Sequence, residues 1–274
     1  MINSFEHSDS INQPAALQVL KLLADETRWR LINELRISDR QVGELVDRLG
    51  LTQNLVSYHL GLLRQAGFVH AQRSDADGRA LYYSLDLEAL KAGCRSVAET
   101  LRMPFQAVNM QNGSILENEA YLPSVVFVCR NNSVRSQMAE AWLRHLSGGR
   151  VQALSAGTES SDVVVNPFTI QVMDEVGIDI HDAQAKHFNE VAMDETTVVI
   201  TVCDMAREDC RAMMDQDERH YLHWSVPPAA RLEMGGIDTL DAFRMVRDEV
   251  RQRVEWLLTI LPLLMPNKAR VAAA

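Results

Sequence analysis

Cysteine is scarce in this chain: four in 274 residues, at positions 94, 129, 203 and 210. That is too few for a disulfide scaffold, and it predicts reduced thiols of a cytoplasmic protein, some of them free for catalysis. Long apolar runs are missing too. No window approaches the ~18 uncharged apolar residues needed to span a bilayer, so no membrane segment is expected. The opening stretch MINSFEHSDSINQ carries acidic side chains and no apolar segment, which argues against a secretory signal. Nor is there an excess of positive charge, the net charge being −10. The deficit is uneven. Residues 1–104 hold 12 Lys and Arg against 13 Asp and Glu, whereas residues 105–274 hold 15 against 24. The first part can carry a local basic face, and the second would repel nucleic acid. With 47% apolar and 23% charged residues, the remainder suits a globular chain with two modest cores.

The pattern along the chain divides it accordingly. PAALQVLKLLAD, ETRWRLINELR, QVGELVDRLG and LTQNLVSYHLGLLRQAG read as amphipathic helices, with Gly50 and Gly67 as stops and Thr52 as an N-cap. FVHAQRSDADGRALYYSL reads as a hairpin turning at Asp77-Gly78, and LEALKAGCRSVAETL as a closing helix. Residues 104–122, bounded by Pro104 and Pro123 and holding a QNGS cluster, read as a linker. Beyond it, strands (VVFVC, VQALSAG, TTVVITVC) alternate with helices (SQMAEAWLRHL, NPFTIQVMDEVG and one long helix or two from Asp238). Such alternation predicts a parallel α/β sheet. The expected organisation is a mainly α winged helix-turn-helix domain over 1–103, a linker over 104–122, an α/β domain over 123–265 and a tail over 266–274.

In the first half, two helices joined by a tight turn place Gln53, Asn54, Ser57, Tyr58 and His59 near the start of the second helix. Those side chains suit base edges and phosphates in a major groove. Leu55, Val56, Leu60, Leu62 and Leu63 would seat that helix on its core. Arg73 and Arg79 flank the acidic hairpin tip, where they could meet a phosphate backbone. At LADETRWRLINEL, LTQNLVSYHLGLLRQAGFV and DGRALYYSL the segment, over about 14–100, resembles the ArsR/SmtB family of winged-helix repressors. The resemblance implies a homodimer through the first and last helices, a palindromic operator DNA as partner, and release when a metal or metalloid such as arsenite binds. Arsenic-sensing members often carry paired cysteines before the third helix. This chain has LRISDRQ there, which leaves Cys94 as the one thiol of this half able to ligate a soft metalloid.

The second half holds VVFVCRNNSVRSQMAEAW, in which Cys129 ends a strand and Arg135 opens a helix. The intervening loop (Arg130, Asn131, Asn132, Ser133, Val134) would turn its backbone N–H groups on a tetrahedral oxyanion, and the Arg135 guanidinium would close the cradle. The same positive surroundings would draw the Cys129 pKa from about 8.5 into the range of roughly 3.5–7.5. Asn132, Ser133 and Ser136 can brace the loop and the sulfur.

With SAGT, VNPFTIQVMDEVGIDI, VVITVCDMAREDC and FRMVRDEVRQRVEWLL, the stretch over about 124–262 resembles the low-molecular-weight tyrosine phosphatase fold. Within that fold it is similar to the thioredoxin-coupled arsenate reductases. A phosphatase needs one thiol, whereas such a reductase needs three, and Cys203 and Cys210 supply the others. The resemblance implies arsenate as substrate, arsenite as product, thioredoxin as reductant and no tightly bound cofactor. The AREDC segment would be mobile, so that a Cys203–Cys210 disulfide can reach the surface. Asn132, Glu140 and Ser155 match positions that hold K+ in some relatives. The family's general-acid aspartate, expected after HW, is replaced: the run reads HWSVPPAAR, with Pro228 in its place, which should slow turnover and harm ester hydrolysis more. A DNA-binding regulator with the second domain as an oxyanion or redox sensor, and a tyrosine phosphatase, are the alternative functions.

Overall fold

The computed structural model describes residues 13–103, 123–159, 163–194, 197–211 and 221–264. The linker expected at 104–122 and the tail expected at 266–274 lie outside them. The first half is α1 (Gln13–Leu23), α2 (Glu26–Leu35), α3 (Val42–Leu49), α4 (Gln53–Gln65), β1 (Val69–Arg73), β2 (Leu81–Leu85) and α5 (Leu87–Thr100). Its boundaries have local causes. Asp25 and Asp86 cap α2 and α5 by accepting the Arg28 and Ala89 N–H groups at 3.0 and 2.8 Å, and Thr52 caps α4. Gly50 ends α3 at φ 63°, a left-handed turn that other residues resist. β1 and β2 pair antiparallel from Val69↔Leu85 to Arg73↔Leu81, forming the hairpin. Leu31, Leu45, Val56, Leu60, Leu63 and Phe68 meet in one apolar core beneath the helices.

The second half runs β3 (Val125–Cys129), α6 (Arg135–Leu146), β4 (Ala153–Gly157), α7 (Pro167–Asp174), β5 (Val198–Thr201), α8 (Asp204–Asp209), β6 (Tyr221–His223), α9 (Ala229–Met234) and α10 (Thr239–Leu264). Its sheet is wholly parallel in the order β4-β3-β5-β6. β3 is buried at every position, as a central parallel strand must be. The long C-terminal segment is one helix, packed along α6 and α7, with Pro262 tolerated in its last turns. β6, α8 and α9 are elements the hydrophobic pattern did not announce.

The two halves are joined by more than the chain. The Asp39 N–H donates to the His223 carbonyl at 2.8 Å, and Asp39 Oδ2 accepts from Ser225 N–H and from the Arg253 guanidinium at 2.7 and 2.9 Å. Trp256 Nε1 donates to the Arg36 carbonyl at 2.7 Å. The Tyr82 ring lies 4.7 Å from that of His223 and beneath the Arg207 guanidinium, which also pairs with Glu44.

Candidate active site and nucleic-acid face

Cys129 ends β3 and is buried, its Sγ 2.9 Å from Ser136 Oγ in the first turn of α6. The loop between them closes because Asn132 takes a left-handed backbone (φ 50°), a region asparagine tolerates better than most residues. Asn132 is fully buried and fully bonded. Its Nδ2 donates to Ser136 and Ser155 hydroxyls at 2.9 and 2.8 Å, and its Oδ1 accepts the Lys186 N–H and the Gln137 amide. Ser133 donates to the Val164 carbonyl, and the Asn166 N–H donates to the Ser133 carbonyl, tying the loop to the start of α7. On the other side Gly157 pairs with Cys129 across β3 and β4. A Cβ there would lie 2.9 Å from the Arg130 carbonyl, so the loop's close approach requires glycine.

Arg135 stands where the sequence placed it, at the N-terminus of α6, and donates to the Val226 carbonyl at 2.8 Å. Burial opposes its charge, but Cys203, Cys129 and Asp75 surround the guanidinium and hold it protonated. Of the other loop residues proposed for oxyanion binding, Arg130 turns outward to an exposed ion pair with Glu159, so its charge is spent away from the cradle. Asn131 is exposed, and Val134 is the residue preceding α6, at φ −132°.

Cys203 follows β5, whose Thr201 pairs with Val128 on the neighbouring strand, so Cys129 and Cys203 emerge at the same edge of the sheet. Cys203 precedes α8 and Cys210 follows it; both thiols are free and buried. Burial pushes the Cys203 thiol up to about 12, Arg135 opposing and Cys129 adding to the rise. Burial also pushes Cys210 up to about 11, with help from Asp209. The stretch DMARED between the two thiols, residues 204–209, forms the helix α8. Its first residue, Asp204, accepts from buried His223 at 3.0 Å. Burial would raise this carboxyl, but His223, Ser225 and the Asp75 N–H keep it ionised, at about 2. His223 is the neutral partner, pushed down by complete burial, with Nδ1 against Thr201 Oγ1.

The general-acid position holds no proton donor: Pro228 starts α9 with extended backbone and no side-chain bond. A carboxylate does reach the cradle, from a place sequence reasoning missed. Asp75, on the hairpin tip, sets its Oδ2 3.0 Å from Arg135 Nη1. Its only sequence signal was the acidic tip itself, which reads equally well as a solvated turn.

The three residues expected to hold K+ are brought together. Asn132, Ser155 and Glu140 do form one chain, Ser155 donating to Glu140 Oε2 at 2.5 Å. Glu140 also pairs with exposed Arg144 and lies 3.8 Å from Lys186 Nζ. Cys94 is half-buried on α5. Among the described residues, the one cluster of His, Cys or carboxylates close enough to share a metal is exposed Asp174, Asp179 and His181, without a thiol. No helix of the described residues is long and apolar enough to cross a membrane.

On the first half, Gln53, Asn54, Ser57 and Tyr58 line the exposed face of α4. His59 does not belong with them. It is buried, its Nδ1 3.5 Å from Asp25, because it lies three residues beyond Val56, on the face of α4 that is turned to the core with Val56 and Leu63. Leu55, expected in that core, is instead exposed. Arg79 is exposed and pairs with Asp77; Arg73 is exposed and donates to the Gly78 carbonyl.

Comparison with known proteins agrees with this division. The family described as low molecular weight phosphotyrosine protein phosphatase matches residues 124–263, and the family described as bacterial regulatory protein, arsR family, matches residues 25–71. The chain is 34% identical over 131 residues to an arsenate reductase of Halalkalibacterium halodurans, spanning 48% of this chain and 91% of that one. It is 35% identical over 132 residues to arsenate reductase 1 of Bacillus cereus, with 48% and 91% covered. It is also 35% identical over 137 residues to the glutaredoxin arsenate reductase of Synechocystis, with 50% and 97% covered. All three align to half of this chain.

Proposed function

This chain belongs to the low molecular weight phosphotyrosine protein phosphatase family, preceded by an arsR-type regulatory segment, and on that premise we propose a cytoplasmic arsenic-resistance fusion. Its second half reduces arsenate to arsenite by a three-thiol relay, and its first half is a DNA-binding repressor. The observation that carries the reading is the convergence of Cys129 and Cys203 beside one buried guanidinium, with Cys210 one short helix away.

The chemistry follows from that placement. Arsenate enters the loop between Cys129 and Arg135, and the sulfur attacks arsenic(V) as one oxygen leaves as water. Cys203 then attacks the Cys129 sulfur. The S–As bonding pair passes to arsenic, which departs as arsenite(III), and a Cys129–Cys203 disulfide remains. Cys210 attacks Cys203, frees Cys129 and leaves a Cys203–Cys210 disulfide for an external dithiol to reduce. Cys203 and Cys210 are buried at the two ends of α8, so α8 must open for their disulfide to reach an external dithiol. A phosphatase would have no use for the two additional thiols. It would also lack a proton donor at Pro228 for an alkoxide leaving group, whereas an arsenate oxygen that is already protonated needs less help.

Thioredoxin is the proposed reductant, although one relative's name couples it to glutaredoxin. The first half would grip operator DNA through Gln53, Asn54, Ser57 and Tyr58, with Arg73 and Arg79 on the backbone. Exposed Leu17 and Leu20 on α1, and Leu101 just past α5, leave an apolar face suited to a homodimer through those helices. Arsenite, produced next to the repressor, is the proposed inducer, Cys94 being the thiol this half offers.

Arsenate-dependent NADPH oxidation with thioredoxin and thioredoxin reductase tests the relay, with a glutaredoxin–glutathione arm beside it. Turnover by the native chain that disappears in Cys210→Ser is expected. Equal turnover in both chains would remove Cys210 from the mechanism, and no turnover with either reductant would leave the domain as an oxyanion sensor.

A further inference from the structure

The hairpin of the first half reaches into the active site of the second, and the contact has the character of a built seat. Ser74 is buried and its Oγ accepts the Ala76 and Asp77 N–H groups at 3.1 Å each, which folds the tip back on itself. The Asp75 N–H donates to Asp204 Oδ2 at 2.7 Å, and Asp204 is fixed from behind by His223. The Arg231 guanidinium grips the Arg73 carbonyl at 2.7 Å, and Gln72 donates to Ser225 Oγ at 2.5 Å. With its backbone so held, Asp75 can place its carboxylate against Arg135, each side chain only 13% exposed.

We propose that Asp75 is the resident anion of the oxyanion cradle, competing with tetrahedral oxyanions for Arg135, so that oxyanion binding and seating of the hairpin exclude one another. The inference rests on the reading of the Cys129 loop as an oxyanion cradle. A guanidinium binds a tetrahedral oxyanion best with both arms, and one arm here is given to a carboxylate. Two anions on one arginine repel, the more so where the side chains are largely buried. The seated carboxylate is also incompletely satisfied: Asp75 Oδ1 is buried without a hydrogen-bond partner. An incoming anion with more oxygens, meeting the loop N–H groups as well, can replace it, and Asp75 regains water on release.

Displacement would be felt on both sides. α8, which carries the resolving thiols at its two ends, is tied to the first half through Asp75 at Asp204 and through Glu44 and Tyr82 at Arg207. Losing the Asp75 tie loosens α8 when Cys203 must move. The freed hairpin is the same element whose arginines are proposed to meet DNA. By reciprocity, a partner that holds the hairpin away from the cradle raises oxyanion affinity by the same factor that the oxyanion favours that partner.

Inorganic phosphate, a tetrahedral oxyanion that the thiols cannot reduce, is the probe, used on the full reduced chain. Its affinity is read from protection of Cys129 against iodoacetamide, and seating of the hairpin from hydrogen exchange at the amides of 74–80. Asp75→Asn, which keeps the shape and removes the charge, is expected to bind phosphate about tenfold more tightly. Its KM for arsenate should fall correspondingly while kcat changes far less. In the native chain, phosphate should speed exchange at the Asp75 amide. Unchanged or weaker phosphate affinity in Asp75→Asn overturns the competition, as does saturation of the native chain without faster exchange, a measurement that needs no variant to fold. Absence of Cys129 protection in both chains overturns the cradle reading itself, and the competition with it.

Discussion

Gly157 shows how much of this site depends on atoms that are absent. It opposes Cys129 in the β3–β4 register, and a Cβ at this position would meet three backbone atoms of the loop, at 2.9 Å from Arg130 O and 3.1 Å from Asn131 C and Asn132 N. None is the end of a flexible side chain, so the loop as a whole must shift. Gly157→Ala is therefore expected to cost about 1–3 kcal/mol of stability by overpacking. Displacing the loop N–H groups should also lower kcat/KM for arsenate by roughly tenfold to a hundredfold. Thermal melts and steady-state kinetics check the two together, and retained kcat/KM would show that the loop absorbs the methyl group. Cys129, Arg135 and Ser136 were readable in sequence because a thiol, a loop and a helix start lie within eight residues. Arg130 was misread for an equally physical reason: Glu159, which captures it, is 29 residues away, and no local spacing reveals a partner at that distance. His59 was misread because adjacent residues on one helical turn can face opposite ways, and the polar type alone does not say which.

At the scale of elements, legibility followed length and period. β3 carries an unbroken apolar run, α6 apolar residues at helical spacing and the β1–β2 hairpin two β-like runs around a turn, and the structure forms them where those signals stand. β6 has three residues and α8 six, too few for any period to register, and α8 is held mainly by partners elsewhere in the fold. Its clamps are Asp204 on His223, Arg207 on Glu44 and Tyr82, and Asp209 on Thr158 at 2.5 Å. The raised thiols at its ends give it a measurable signature. A thiol whose pKa is raised to about 12 or about 11 is almost wholly protonated at neutral pH, and its thiolate fraction climbs as pH rises toward those values. Cys203 and Cys210 should accordingly be alkylated more slowly than half-buried Cys94 in the reduced chain, and gain rate through the alkaline range. Arg207→Ala, which removes one clamp, should speed Cys210 labelling about tenfold by raising the population of the open helix. Site-resolved mass spectrometry reads all three rates. Equal labelling of Cys210 in the native chain and the variant would show that α8 opens independently of Arg207.

Across the whole molecule, the question is whether two domains that each own a core behave as one body. The cores are separate: Leu31, Leu45 and Leu60 anchor one, and Phe127, Met138 and Leu257 the other. No pattern in the chain announced their junction, because its key pair, Asp39 with Arg253, spans 214 residues and looks locally like two ordinary surface charges. In the fold Asp39 is 2% exposed and holds three partners of the other half: His223 O through its N–H, and Ser225 N–H and Arg253 through its carboxylate. Removing that carboxylate leaves the buried Ser225 N–H unpaired and the largely buried Arg253 guanidinium with Glu249 as its remaining carboxylate. Asp39→Ala is thus expected to cost about 3 kcal/mol, the loss falling on the junction and sparing both cores. Where the junction couples the domains, the native chain should melt in a single calorimetric transition. The variant should split it, with the helical half, which has the smaller core, unfolding first. The same variant bears on function. A weakened junction frees the hairpin, and with it Asp75, from the cradle. Phosphate affinity should then rise in Asp39→Ala as it does in Asp75→Asn, although Asp39 touches neither Arg135 nor the loop. A split transition without any gain in phosphate affinity would mean that the hairpin stays seated on Asp204 and Arg135 by its own contacts, and that coupling between the halves does not pass through Asp39.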